Sequence, residues 1–225
     1  MTYQEARTQL EQLLNLPATG QQLQLNSQTI ERAYEGYVAS LLAQAVRDAR
    51  GQAEIRGIQS GDAAPATIVF RGGPGRMDSR EQDFCYFFCQ LNGRSFEIHL
   101  DTKYVGSSEA IHEIDVSVFD HQTANNIRAN GGMPKASGKL LMAFECKFYD
   151  QAPGALLART FVGLVQDCFG QRLNGFAANR GSRNLRRYLS KKGRPEPFLD
   201  LIPGDANSED RFKRTVEQEL RKWAV

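Results

Sequence analysis

The sequence has no apolar run long enough to cross a membrane and no apolar leader at its start. A membrane helix needs about 20 consecutive apolar residues. The opening stretch MTYQEARTQLEQLL is too polar for a signal peptide. These absences predict a cytoplasmic protein with no membrane contact.

Cysteine and histidine motifs that bind metals or form nucleophilic sites are also missing. The four cysteines contain no CxxC pair, and the three histidines contain no HxH or HExxH motif. There is likewise no GxSxG motif. In a reducing compartment the cysteines are predicted to be buried thiols, and His99, His112 and His121 ordinary strand or loop residues. The cysteines are Cys85, Cys89, Cys146 and Cys168.

Hydrophobic and charged residues are present in the proportions of an ordinary globular protein, 41% and 24% of 225 residues. The formal net charge is only +2, but one segment, 180–194, is basic and has no acidic residue. Its basic residues are Arg180, Arg183, Arg186, Arg187, Lys191, Lys192 and Arg194. Such a segment is either a surface that faces phosphates or a solvated helix face.

Residue periodicity predicts helices and strands in an alternating order. Helices are expected over 3–14, from N-cap residues Asn26 and Ser27 to Gly51, and over 154–170, 184–192 and 208–224. Strands are expected over 67–70, 83–91, 95–105, 112–120, 140–149, 173–179 and 196–202. The turn Asn92-Gly93 joins two of these strands as a hairpin. The segment 140–144 is apolar on both faces, which favours a central strand of a mixed sheet in an α/β protein.

Two segments are predicted to be loops. In 71–76, RGGPGR, glycines that need positive φ for a turn are favoured over a cradle for a phosphate, because no P-loop or dinucleotide motif is matched. The polar segment 120–139 is longer than a hairpin needs. It is either a loop that enters a nucleic-acid groove or a mobile insertion. Its polar residues are Asn125, Asn126, Arg128, Asn130 and Lys135.

Two charges interrupt the apolar strand 140–149. Glu145 and Lys147 share one face because strand side chains alternate, and Asp115 lies on a neighbouring predicted strand. Two carboxylates can hold Mg²⁺ through oxygen ligands, and a lysine beside them can orient an attacking water or offset charge on a phosphate. The chemistry indicated is hydrolysis of a phosphodiester; the alternative is an ion pair without catalytic use.

The spacing of Asp115 and Glu145-Cys146-Lys147 within these elements resembles the PD-(D/E)xK nuclease superfamily, which includes restriction endonucleases. The resemblance implies a restriction-endonuclease-like α-β-β-β-α-β core with a central mixed sheet flanked by helices. The core would span 27–202 of a single nuclease domain, 1–225. Segment 1–26 would be an N-terminal helical extension, and 208–224 a C-terminal helix. The proline of the family name is replaced by Ile114.

The resemblance also implies further site residues. A metal ligand is expected on the helix before the sheet, which Glu35 or, one turn earlier, Glu31 would supply; both could equally be solvated helix acids. Glu113 and Gln166 are candidates to support the site from the second strand and from the following helix. The basic helix would contact nucleic acid through Arg183, Arg186, Arg187, Lys191 and Lys192.

The function implied is a Mg²⁺-dependent DNA endonuclease, with Mn²⁺ as a possible substitute. Double-stranded DNA is the expected substrate, and a homodimer or a partner subunit is expected because one site cuts one strand. Defence against foreign DNA is the expected role, with repair or recombination as the second. The alternative is a subunit of the same fold that binds nucleic acid without cutting it.

Overall fold

A seven-stranded mixed β-sheet with flanking helices forms the centre of this α/β protein. The computed structural model describes residues 1–61, 63–168 and 170–224. The helices are α1 (Tyr3–Leu13), α2 (Leu16–Thr19), α3 (Ile30–Asp48), α4 (His121–Asn130), α5 (Ala155–Asp167), α6 (Arg183–Leu189) and α7 (Ala206–Trp223). The strands are β1 (Gln22–Leu25), β2 (Gln52–Gly57), β3 (Thr67–Phe70), β4 (Cys85–Leu91), β5 (Arg94–Val105), β6 (Ile111–Asp120), β7 (Leu140–Lys147), β8 (Leu173–Ala178) and β9 (Glu196–Leu199).

The strand order in the large sheet is β2-β4-β5-β6-β7-β8-β9. Within this order, neighbouring strands from β2 through β4, β5 and β6 to β7 are antiparallel, whereas β7, β8 and β9 are parallel. Asn92 and Gly93, with φ of 47° and 79°, form the predicted hairpin turn between β4 and β5. The prediction that 140–149 contains a central strand is confirmed, because β7 lies between β6 and β8.

Helix α3 is the most deeply buried helix segment against the sheet, with thirteen buried residues. Its N-cap is Thr29, whose hydroxyl accepts a hydrogen bond from Arg32 N–H at 3.4 Å. The expectation that Asn26 and Ser27 cap this helix is therefore wrong. The cap must directly precede the first helical residue, Ile30, which begins the helix later than the sequence suggested.

A second, two-stranded sheet was not expected. The predicted strand TIVF, β3, pairs in parallel with β1 and is not part of the large sheet. Leu23 and Leu25 are the buried residues of β1. The N-terminal extension thus contains a strand as well as helices, because two alternating leucines are enough to anchor four residues.

Helix α4 replaces most of the loop expected over 120–139. Asp120 caps it by accepting a hydrogen bond from Thr123 N–H at 2.8 Å, and Gly131, with φ of 76°, follows its last residue. Ala124 is buried and Ile127 packs beside it on the core, which gives the helix an apolar side. The interpretation of 120–139 as a loop was wrong because only two residues of this short helix pack on the core.

Two loops cover the second half of β5, beyond the pair Phe87 and Ile98, where β4 no longer pairs with it. Gly75 N–H donates to Asp101 O at 2.8 Å, and Lys103 N–H donates to Gly75 O at 3.0 Å. Val105 N–H donates to Pro134 O at 2.8 Å. Backbone groups of β5 on this side are therefore bonded to loops.

All four cysteines are buried and free, as predicted. Within the described ranges, no helix combines the length and the apolar character needed to cross a membrane.

Candidate metal centre

Asp115, Glu145 and Lys147 meet where β6 and β7 lie side by side. Lys147 Nζ lies 2.8 Å from Glu145 Oε1 and 3.1 Å from Asp115 Oδ2. The three residues predicted from the sequence to act together are thus in direct contact.

The backbone of β7 fixes the Asp115 carboxylate. Paired residues of β6 and β7 extend to Val116 and Phe144. Beyond that pair, Cys146 N–H donates to Asp115 Oδ2 at 2.8 Å. The Asp115 side chain therefore takes the place of a backbone acceptor and is held in one orientation.

Two further carboxylates lie beside Asp115. Oxygen atoms of Glu35, on α3, and Asp101, on β5, lie within 4.8 Å of one another and of an Asp115 oxygen. All three residues are buried, and Asp101 is 0% exposed. Of the two acids proposed on α3, the structure places Glu35 in this group, whereas Glu31 lies in the first turn of the helix, outside it.

Arg32 is the cation that contacts this group from α3. Its guanidinium lies 2.7 Å from Glu35 Oε2 and also bonds to Asp101 Oδ1. Burial alone would lower the pKa of Arg32, but the negative charges of Asp101 and Glu35 outweigh it and raise that pKa. Arg32 is therefore a permanent positive charge in the site.

Three carboxyl groups of the centre, those of Glu35, Asp101 and Glu145, have raised pKa values. Burial, together with the negative charges of Asp101 and Asp115, raises the pKa of Glu35 to about 9. Burial also raises the pKa of Asp101 to about 7 and, with help from Asp115, that of Glu145 to about 7. Such shifts show that negative charge is crowded at this place.

The neighbouring carboxylates stabilise the charged form of Lys147. Burial alone would lower its pKa, but the carboxylates of Asp115 and Glu145 raise it above the ordinary value. Lys147 is therefore an ammonium group that donates hydrogen bonds, not a base.

The donor set suits a hard divalent cation. Four carboxylates, of Glu35, Asp101, Asp115 and Glu145, face two cationic side chains, which leaves a formal excess of two negative charges. Asp101 Oδ2 is buried and has no hydrogen-bond partner among the described residues. An unpaired buried carboxylate oxygen is costly without a ligand, and Mg²⁺ and Mn²⁺ prefer oxygen ligands.

Glu113 and Gln166, the two residues expected to support the site, differ in their relation to this centre. Glu113 is on β6, and its pKa is raised by burial and then by the charge of Asp115, which places it near the site. Gln166 is exposed on α5. Only Glu113 is electrostatically linked to the metal candidates.

The basic segment forms a shorter helix than expected, because α6 ends at Leu189. Leu185 and Leu189 are buried, as the periodicity predicted. Arg186 bonds to Asp200, which follows β9, whereas Arg187 has no ion pair among the described residues. Arg183 begins α6, and Lys191 and Lys192 follow it in a turn.

Sequence reasoning missed Asp101 and Arg32. Alternation along β5 would place Asp101 on the same face as Glu97 and His99. Asp101 instead has a positive φ of 46° and contacts Arg32 of α3, which the sequence did not indicate. Nothing in the spacing marked Arg32, whose role depends on how α3 packs on β5.

A different buried carboxylate, Glu97, is also on β5 and is 0% exposed. It bonds to His99 Nε2 at 2.7 Å, to His121 Nδ1 at 2.6 Å, and to both terminal nitrogens of Arg128 at 2.7 and 2.5 Å. Burial alone would raise the pKa of Glu97, but hydrogen bonds from Arg128 and both histidines lower it far below its usual range. The histidines at 99 and 121 thus complete a structural cluster.

Comparisons with protein-family models, curated protein sequences and solved structures gave no match for this chain.

Proposed function

We propose that this protein is a divalent-cation-dependent nuclease that hydrolyses phosphodiester bonds in DNA. The observation that carries the proposal is the contact of Lys147 with Asp115 and Glu145, beside two further buried carboxylates. A simple ion pair would match one carboxyl group to each cation, whereas this centre has four carboxyl groups for two cations and an unpaired buried oxygen.

The order of elements supports the proposal. Helix α3, strands β5, β6 and β7, helix α5 and strand β8 occur in the chain order α-β-β-β-α-β, with β2, β3 and β4 between α3 and β5 and with α4 between β6 and β7. Asp115 lies on the second of these strands, and Glu145 and Lys147 lie on the third. This is the arrangement that the PD-(D/E)xK resemblance implies, so we propose a restriction-endonuclease-like core.

Each site residue has a defined task under this proposal. Asp115, Glu145 and Asp101 would hold Mg²⁺ or Mn²⁺, and Glu35 would complete the acidic wall. When bound, the cation offsets negative charge on the scissile phosphate and makes a water more acidic. Lys147, held protonated, donates hydrogen bonds to a phosphate oxygen or to the attacking water.

Charges outside the site suit a polyanionic substrate. Three exposed basic residues come after β8 in the chain: Arg187 lies in α6, and Lys191 and Lys192 follow the end of that helix. We propose that they contact phosphates of duplex DNA, together with Arg183 and Arg186. Cutting both strands would then need a second protomer or a partner subunit, and defence against foreign DNA is the proposed role.

The proposal is tested by incubating the protein with plasmid, linear duplex, single-stranded DNA and RNA, each with Mg²⁺, Mn²⁺ or EDTA. We expect cutting of DNA with either metal and none with EDTA. Glu145→Gln and Lys147→Ala should each lower the rate by about 100-fold or more. Lys139→Ala is the matched control, because Lys139 is an exposed lysine just before β7.

Unchanged cutting by either site variant would rule out this assignment. If no substrate is cut with any metal while DNA still binds in a salt-sensitive way, the protein is a binding subunit of the same fold.

A further inference from the structure

The loop 71–76, RGGPGR, borders the acidic centre and contains a buried arginine. Gly75 N–H donates to Asp101 O at 2.8 Å, so the loop is attached to the strand residue whose side chain enters the centre. Arg71 is only 8% exposed. A positive charge is thus buried in the loop whose backbone is bonded to Asp101.

Arg71 has no ion pair in the part of the chain that the structure describes. Its Nη2 donates to Arg76 O at 2.7 Å, and its guanidinium carbon lies 4.2 Å from the centre of the Phe84 ring. Burial lowers the pKa of Arg71, and the more distant charge of Asp101 compensates only in part. Buried charges are normally paired, so a buried arginine without a carboxylate is a candidate to bind an anion.

One glycine of this loop, Gly75, makes room for that arginine. Glycines 72, 73 and 75 are outside the positive-φ region, so the expectation that they are needed for a turn is wrong. A Cβ at Gly75 would lie 2.1 Å from Arg71 Nη1. The observed position of the guanidinium therefore depends on glycine at 75, because a side chain there would displace it.

A cleft of about 670 Å³ opens at this place, with Arg71, Arg80 and Lys103 in its lining. Lys103 has no ion pair among the described residues, and its N–H donates to Gly75 O at 3.0 Å. Two acidic residues, Asp78 and Glu81, also line the cleft, and Arg76 neutralises Asp78 through two hydrogen bonds of 2.8 Å. The charges of Arg71, Arg80 and Lys103 exceed that of Glu81, so the cleft has a net positive charge.

We propose that this cleft binds a phosphate of the nucleic-acid strand that flanks the phosphate to be cleaved, through Arg71 and Lys103. The inference rests on the proposed nuclease function for the identity of the strand, but the anion site itself does not depend on cutting. Arg71 presents a fork of N–H donors that matches phosphate oxygens, and Lys103 adds a second charge. The strand would be positioned by the cleft while its neighbouring phosphate lies over the carboxylates.

The test compares Gly75→Ala with Gly73→Ala. The first places a methyl group against Arg71 Nη1, a flexible end that can move aside without unfolding the loop; the second points into open space. Binding of a short fluorescein-labelled oligonucleotide is measured by anisotropy in EDTA at several salt concentrations. We expect Gly75→Ala and Arg71→Gln to bind about tenfold more weakly than wild type, with a shallower salt dependence, and Gly73→Ala to bind as wild type.

Cleavage in Mg²⁺ provides a second readout. Gly75→Ala should raise KM and leave kcat nearly unchanged, because it moves a positioning residue and not the metal ligands. Arg71→Lys should recover part of the affinity. If Arg71→Gln does not fold, Gly75→Ala alone decides the question.

The two proposals fail in different ways. Oligonucleotide binding that depends on Arg71 in a protein that cuts nothing would leave the anion site standing and remove the nuclease. Cutting and binding that are unchanged in Gly75→Ala and Arg71→Gln would overturn the anion site and leave the nuclease standing. A wild-type protein that binds the oligonucleotide neither in EDTA nor in Mg²⁺ would overturn both.

Discussion

Strand β5 carries two buried carboxylates, Glu97 and Asp101, in opposite surroundings. Glu97 is surrounded by donors, and its pKa is far below its usual range. Asp101 shares a single guanidinium, that of Arg32, with Glu35, and burial raises its pKa to about 7. Complete pairing is typical of a structural carboxylate, and incomplete pairing favours the proposal that the second carboxylate is a metal ligand.

The largest expected effect is on the free energy of unfolding, when Glu97 is replaced. Glu97→Gln leaves the buried Arg128 and His99 without their carboxylate, so the free energy of unfolding should fall by about 3–5 kcal/mol. Urea unfolding followed by circular dichroism measures this change. Glu54→Gln is the control: Glu54 pairs with Arg56 nearer the surface, and its loss should cost less than about 1 kcal/mol. Equal losses in the two variants would remove the distinction between the clusters.

A divalent cation should act only on the other cluster. The pKa values of Asp101 and Glu145, both about 7, and of Glu35, about 9, lie above those of the unfolded chain. Ionisation of these groups therefore lowers stability as the pH rises through neutrality, and a bound cation restores it. We expect Mg²⁺ at about a hundred times its Kd to add about 2–3 kcal/mol, with a larger rise in Tm at about pH 8 than at about pH 6.

Calorimetry with and without Mg²⁺ tests that expectation. The double variant Asp115→Asn, Glu145→Gln should show no rise at either pH. A rise that is equal at both pH values, or that persists in the double variant, would place the cation elsewhere.

Asp101→Asn should have an effect of the opposite sign to Glu97→Gln. It removes one of the crowded negative charges, so in the absence of metal the protein should become more stable by about 1–2 kcal/mol near neutral pH. Urea unfolding at about pH 7 without metal measures it, and Mg²⁺ should stabilise this variant less than wild type. A loss of stability as large as that of Glu97→Gln would show that Asp101 is structural.

The smallest effect is expected at the surface of α6. Arg186 pairs with the half-exposed Asp200, so Arg186→Ala should change the free energy of unfolding by less than about 1 kcal/mol. Arg187→Ala should not change it measurably. Both variants should nevertheless weaken DNA binding in a salt-dependent way, measured by anisotropy; strong loss of stability with unchanged binding would contradict the surface role.

Much of the large sheet was predictable because its strands are marked by strong local patterns. The alternation in 112–120, the Asn92-Gly93 turn and the apolar segment 140–144 each define an element without reference to distant residues. Strands β1 and β2 and helix α4 were missed, since each is short or half polar and is stabilised by what it packs against.

The candidate centre was predictable in part for the same reason. Asp115, Glu145 and Lys147 were found because charges on a buried strand are conspicuous. Asp101 and Arg32 were not found because their contact depends on how α3 packs on β5 in the folded protein. The buried state of Arg71 was equally invisible, because an arginine beside glycines reads as solvent-exposed.

The loops that cover the second half of β5 also occupy backbone groups that could otherwise pair with a strand of another copy of the protein. A strand edge with free N–H and C=O groups pairs readily with another chain and leads to aggregation. Here Gly75 and Pro134 engage those groups, and the prolines at 74 and 134 cannot extend a ladder. We therefore expect shortening of the loop 71–76 to expose backbone groups of β5 that pair with other chains and to lower solubility, and it would also remove the cleft that we propose binds phosphate.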